Sequence, residues 1–268
     1  MAKRTLTALA LFLIGFPLLM VGGLPYFLFI GFLLVAASWE YMNMMRAVEV
    51  QTPRVFLLAL VLVLIVVRAF FEAAAATTLT LAVMALMAWH LWQYEQGRER
   101  AATDFGVSVS ILVYIGWVGS YLVLLRGLPN GGWWLILSLF CVWMADTGGY
   151  MIGSAYGKHK MSPRLSPHKS WEGYIAGLFS AVLIGAYLAF CFTMWGPLNL
   201  QIWQGALLGL LVGTLSPLGD LGKSMIKRMA GFKDSGNLIP GHGGAFDRID
   251  SWIWASVIGY LVIGGWLL

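Results

Sequence analysis

Residues 173–195 read GYIAGLFSAVLIGAYLAFCFTMW, 23 consecutive positions without a charged side chain. A hydrocarbon core about 30 Å thick needs roughly 20 apolar residues per spanning helix, and this stretch has that length. Outward from it the pattern repeats. Further apolar runs cover approximately 5–23, 25–45, 55–71, 74–93, 106–125, 132–153, 202–222 and 251–267, with Pro25, Pro53, Pro129, Pro197 and clusters of charge marking several gaps. The expected fold class is all-α, a polytopic membrane protein with about nine transmembrane helices. Glu40 near the end of the second run and the shortness of the third leave eight or ten open.

Composition agrees. The 268 residues are 60% hydrophobic and 11% charged, with a mean hydropathy of +0.80, far from a soluble domain of average usage. Cytoplasmic loops retain Lys and Arg during insertion. With nine helices and the N-terminus inside, the inside segments hold Lys3, Arg4, Arg46, Arg54, Arg98, Arg100, Lys158, Lys160, Arg164, Lys169, Lys223, Lys227, Arg228, Lys233 and Arg248, which is 15 of the 17 basic residues. Arg68 and Arg126 fall outside, and Arg68 has Glu72 one turn away as its expected partner. The net charge of +5 is thus explained by orientation and by anionic lipid head groups, and no nucleic-acid partner is expected. Cys141 and Cys191 lie inside apolar runs and read as small hydrophobes, without a disulfide framework. Lys3 and Arg4 precede an apolar run as in a secretory signal, but the run passes almost at once into a second, so an uncleaved first helix is expected.

No internal repeat is evident. Residues 1–130 read as plain N-terminal transmembrane helices. Residues 131–268 read as a catalytic transmembrane region with cytosolic loops 154–172 and 223–250. Asp146 lies inside a span, where an ionisable group is costly and a functional candidate. Tyr150 follows one turn on, and Gly149, Gly153 and Gly157 form a small-residue stripe suited to close helix contact. The plainer alternative makes Asp146 a helix-packing hydrogen bonder. Asp220 follows Pro217, which is expected to kink or break the helix. On a continuing helix Asp220, Ser224 and Lys227 share a face, and an interfacial Asp paired with a Lys is the plainer reading. The stretch 224–250 combines basic residues, glycines and carboxylates, as a phosphate and Mg2+ site requires. With a ninth helix starting near Phe246, Asp247 and Asp250 fall at i and i+3 on its first turn, which is also a common capping pattern. Asp146, Asp220, Asp247 and Asp250 are all expected at one membrane depth on one side.

Other signals fail. Gly222-Lys223-Ser224 imitates a P-loop tail, but Pro217 stands where the first glycine belongs and no strand precedes it. Gly241-His242-Gly243-Gly244 resembles a lipase oxyanion loop without a Gly-x-Ser-x-Gly elbow. His90 and His159 lack metal-ligand spacing and read as surface or interfacial residues.

Ser224 to Asp250 closely resembles the signature of the phosphatidate cytidylyltransferase family. The shared pattern is Ser, Lys-Arg, four residues, Lys-Asp, a small residue, an Ile-Pro step, His-Gly-Gly, and Asp-Arg-x-Asp. Asp146 with Tyr150, Gly153 and Gly157, the run from Ser166 to Gly173, and Ser216-Pro217 with Asp220 are also similar, so the likeness covers roughly 140–255. Ala245, Ser154 and Ser170 stand where that family usually has a larger aliphatic, an Arg and a Thr. The resemblance implies joining of phosphatidic acid to CTP, giving CDP-diacylglycerol and pyrophosphate in phospholipid biosynthesis. It implies Mg2+ held by Asp220 and Asp247 with Asp250 and Asp146 in support, a second, monovalent cation being left open. It implies Asp220, Asp247, Asp250, Lys227 and Arg248 as catalytic, and Lys169, Ser224, Arg228, Lys233, His242, Gly243, Gly244 and Asp146 as substrate-binding. The expected partners are CTP, phosphatidic acid and membrane lipids, with a homodimer allowed. The expected location is the cell inner membrane, with the site facing the cytoplasm. A CTP-dependent polyprenol or phytol kinase, releasing CDP, is the nearest alternative. A transporter, from another class, would require corresponding halves and polar groups near the midplane.

Overall fold

In the computed structural model, which describes residues 13–236, 238 and 243–267, the short third apolar run shows how helices are built here. Helix α3 (Arg54–Phe70) buries Leu57, Val61, Leu64, Ile65 and Arg68, a single stripe at helical spacing, and leaves Val55, Leu62 and Val63 exposed. Both faces are apolar, as expected of a helix with protein on one side and lipid on the other. The same inversion recurs at Leu28 and Phe32, Leu81 and Met84, and Phe179 and Leu183, all large, apolar and exposed.

The chain divides into two units, each with its own packing. The first comprises 13–18, Gly23–Leu124 and Lys227–Ile249. After α1, helical from 13 to 21, come α2 (Gly23–Arg46), α3, α4 (Glu72–Glu95) and α5 (Ala101–Ile111), the last running into a π-helical turn, Leu112–Val118, and then α6 (Tyr121–Gly127). Ile30, Leu34 and Met45 of α2, Leu64 and Ile65 of α3, and Ile111, Leu112 and Ile115 form its core. Two expectations change in this unit. Phe71 (φ −140°, ψ 53°) leaves the helical region, so Glu72 begins a new helix and cannot stand one turn from Arg68. Arg68 is buried instead, donating to the Trp117 carbonyl (2.9 Å) with its guanidinium over the rings of Trp117 (3.9 Å) and Tyr121 (4.4 Å). His90, expected at the surface or the membrane interface, is buried on α4 beside the Ser108 hydroxyl (3.1 Å).

The second unit comprises Leu19–Gly22, Leu125–Ile226 and 250–267. It contains α7 (Gly131–Tyr156), α8 (Trp171–Trp195), most of α9 (Ile202–Met229) and α10 (Phe246–Val262) beyond its first turn, with a π-helical end, Ile263–Leu267. Antiparallel α7 and α8 cross at glycines. A Cβ on Gly173 would come 2.7 Å from the Gly149 carbonyl oxygen, and one on Gly177 2.5 Å from that of Ala145. Gly185 and Gly205 do the same for α8 and α9. Arg126 donates to the carbonyls of Leu19 (2.6 Å) and Met20 (2.8 Å). The expected loop 154–172 contains an antiparallel hairpin, β1 (Lys160–Ser162) and β2 (Ser166–Ser170), which ends on the Ser170 N-cap of α8 (3.2 Å from Gly173 N).

Helix α9 is continuous through Pro217, where a kink or a break was expected, so the break does not occur. Proline removes the bond to the Gly213 carbonyl, and the next carbonyl, of Thr214, accepts the Tyr174 hydroxyl (3.2 Å). Among the described residues six helices are long and apolar enough to cross a membrane: α2, α4, the composite Ala101–Gly127, α7, α8 and α9. At 1.5 Å per residue the 17 residues of α3 and of α10 reach only about 25 Å, and the first expected span lies largely outside the described residues. The protein is therefore a multi-pass, all-α membrane protein with one two-stranded hairpin, and nine spans are not reached among the described residues.

Candidate functional site

The second unit brings together a ladder of alternating charge. Asp220, on α9, takes Lys169 of β2 at 2.6 Å and Lys223, one turn along its own helix, at 3.0 Å. Lys223 in turn reaches Asp250 of α10 at 2.7 Å. The two ends differ in burial. Lys223 and Asp250 are 6% and 2% exposed, whereas the side chains of Asp220 and Lys169 are about a third open, at 32% and 29%. Two acids balanced by two bases is the arrangement a low-dielectric interior tolerates, since removing one partner would strand the other.

The open end meets a cavity of about 540 Å³. The hairpin contributes Lys160, His168 and Lys169, and α7 contributes Asp146 and Tyr150 over the glycines of the α7–α8 crossing. Those glycines thus have two effects: they let the helices touch and leave room beside them. Lys169 belongs both to the lining and to the ladder, so it is the link between them.

In the first unit two carboxylates gather Lys227, Ser235 and the backbone of 244–246. Asp247 Oδ1 accepts from Lys227 Nζ (2.6 Å). Its Oδ2 accepts from Ser235 N (2.8 Å), Ser235 Oγ (2.9 Å) and Gly244 N (3.3 Å). Glu40 of α2, buried, accepts from Ala245 N (2.9 Å) and Phe246 N (3.0 Å) at the start of α10, where the helix dipole favours a negative charge. Ser235 Oγ is also 2.8 Å from Glu40, and its single proton serves one carboxylate at a time. Gly243 holds φ +80° with no room for a Cβ beside Asp247, and a Cβ on Gly244 would enter the Glu40 carboxylate.

Of the expected site residues, Asp146, Lys169, Asp220 and Asp250 fall in the second unit, and Asp247, Lys227, Gly243 and Gly244 in the first. Ser224 is half-buried on α9. Arg228 and Lys233 are exposed, Arg248 is half-buried on the first turn of α10, and His242 lies outside the described residues. Three residues were not foreseen. Lys223 stands in the false P-loop, and its i+3 spacing from Asp220 is a usable signal. Glu40 bears in the sequence only on the helix count, and Ser235 carries no signal of its own.

No group of three or more His, Cys, Asp or Glu lies close enough to hold an ion among the described residues. Mg2+ is usually bound through one or two carboxylates together with substrate phosphates. Asp220 and Asp250 meet that requirement, since both deliver an oxygen within 3.0 Å of one positive centre, the Lys223 ammonium.

Comparison with known proteins gives a consistent result. Residues 2–265 match the family described as the cytidylyltransferase family. The phosphatidate cytidylyltransferase of Staphylococcus haemolyticus is 32% identical over 254 residues, covering 94% of this chain and 95% of that protein. That of Synechocystis is 32% identical over 292 residues, covering 97% and 96%. That of Staphylococcus aureus is 30% identical over 254 residues, with 94% and 95% covered.

Proposed function

The chain belongs to the cytidylyltransferase family, and from this we propose that it is a membrane nucleotidyltransferase that converts CTP and phosphatidic acid to CDP-diacylglycerol and pyrophosphate. The observation that carries the local reading is the ladder Lys169–Asp220–Lys223–Asp250 at the rim of a glycine-walled cavity. A cavity of about 540 Å³ is of ordinary size for a small-molecule site.

In the reaction a phosphate oxygen of phosphatidic acid bonds to the α-phosphorus of CTP while the bond from that phosphorus to the bridging oxygen breaks, releasing pyrophosphate. The attacking oxygen is already anionic, so no general base is required. Chemistry of this kind depends on positioning and charge neutralisation rather than on a protein nucleophile. The chain's residues fit those needs. Lys169 and Lys160 present ammonium groups to phosphoryl oxygens in the cavity, and His168 adds a donor there. Lys223 keeps the inner carboxylates in place. Asp220 and Asp250 are the residues that would hold Mg2+, which when bound stabilises charge on the attacking and leaving oxygens. Asp247 holds Ser235 and the Gly244 amide, and Lys227, Arg228, Lys233 and Arg248 are further basic groups of the types that bind phosphate.

We place the site on the cytoplasmic face of the cell inner membrane, supported by the 15-to-2 division of basic residues that nine spans with the N-terminus inside would give. The deciding assay is release of pyrophosphate from CTP by purified protein. We expect it to require both phosphatidic acid and a divalent cation, and to be accompanied by CDP-diacylglycerol. Formation of CDP with a phosphorylated polyprenol or phytol would show a kinase instead.

A further inference from the structure

The first unit contains a second concave site, outside every residue assigned to the reaction. A cavity of about 740 Å³ is lined by Arg46 from the last turn of α2, Arg54 from the first turn of α3, Arg98 from the α4–α5 connection, and Glu49, Gln51 and Thr52 between α2 and α3. Its inner wall is braced. Asp104, 1% exposed, accepts from Arg98 Nε (2.7 Å) and Nη2 (3.2 Å) and from the Gln51 amide (3.0 Å), and Arg98 also donates to the Glu49 carbonyl. The lining carboxylate, Glu49, pairs with Arg100 (3.0 Å). Arg46 and Arg54 have no carboxylate partner among the described residues, so the concavity has an excess of guanidinium groups.

The level of this pocket in the membrane is marked independently. Arg54 lies over the ring of Trp39 (5.1 Å to the centroid), and that indole is 42% exposed near the end of a spanning helix. Exposed tryptophan at such a position sits at the height of the lipid head groups. Guanidinium forks match phosphate oxygens in pairs, and basic pockets between the ends of membrane helices suit anionic head groups.

We propose that the Arg46–Arg54–Arg98 pocket binds a phosphate group, and that this phosphate is carried by the head group of an anionic membrane lipid. The test uses the full chain in neutral detergent, titrated with phosphatidylglycerol or phosphatidylcholine and read by native mass spectrometry. Preferential retention of phosphatidylglycerol is expected, weakened about fivefold by either Arg46→Gln or Arg54→Gln and about 25-fold by both together. Turnover in detergent micelles that hold saturating phosphatidic acid as their sole lipid, and thermal stability in detergent, should be unchanged in these variants, because neither arginine is placed in the reaction or paired with a carboxylate. Arg164→Gln removes an exposed charge from the hairpin turn and should have no effect. An equal loss with Arg164→Gln, or undiminished retention in the double variant, overturns the site. Binding of inorganic phosphate with the same arginine dependence, displacing the lipid, overturns the lipid as its source.

Discussion

Glu40 shows what a single buried carboxylate can organise. It receives Ala245 N, Phe246 N and Ser235 Oγ, and among the described residues no other acceptor serves those two amides. Glu40→Ala should therefore lower stability by on the order of 3 kcal/mol, seen as a lower Tm in detergent, with Glu40→Gln retaining an acceptor and recovering part of it. Asp247→Ala removes the acceptor for Ser235 N and Gly244 N. The expected outcome is loss of turnover with the protein still folded, and faster hydrogen exchange at those two amides. Full activity would remove Asp247 from the site. At Asp220, about a third open, the Asn variant should fold normally and lose turnover on the order of 100-fold, whereas Lys223→Ala strands buried Asp250 and should cost roughly 3 kcal/mol or more. The sequence showed Asp220, Asp247 and Asp250 through their acidic character in a polar stretch, but Glu40 acts on groups 195 to 206 residues away, which no local pattern encodes.

At the scale of elements, the glycine stripe on α7 was legible, and its counterpart on α8, Gly173 and Gly177, explains what the stripe packs against. Gly177→Val should separate the two helices and cost roughly 1–3 kcal/mol, read as a fall in Tm, together with a higher KM for CTP as the adjoining cavity changes shape. The hairpin was not legible, because strands of three and five residues rich in Ser, Pro and Lys carry no alternation of apolar side chains. The continuity of α9, one of two courses open from the sequence, was undecided there for a different reason. Proline predicts a missing hydrogen bond, but the neighbouring carbonyl is served by Tyr174, a residue of another helix.

For the whole molecule, hydropathy was the strongest signal, and six of the expected spans are present at nearly their expected limits. The count could not be closed from sequence because a mostly apolar helix of 17 residues lies at the boundary between spanning and merely buried. Orientation is open to a labelling experiment. Cys141 and Cys191 are buried, so single cysteines introduced at Arg164 or Lys233 can be followed in intact cells with a membrane-impermeant maleimide. Both should react only after the membrane is opened, while one at Leu128 should react without opening; the reverse pattern would invert the topology. The pairing of Asp220 with Lys223 also bears on biogenesis. A translocating α9 presents the two as a neutral couple one turn apart, so the insertion machinery need not partition two separate ions into lipid before the rest of the protein arrives.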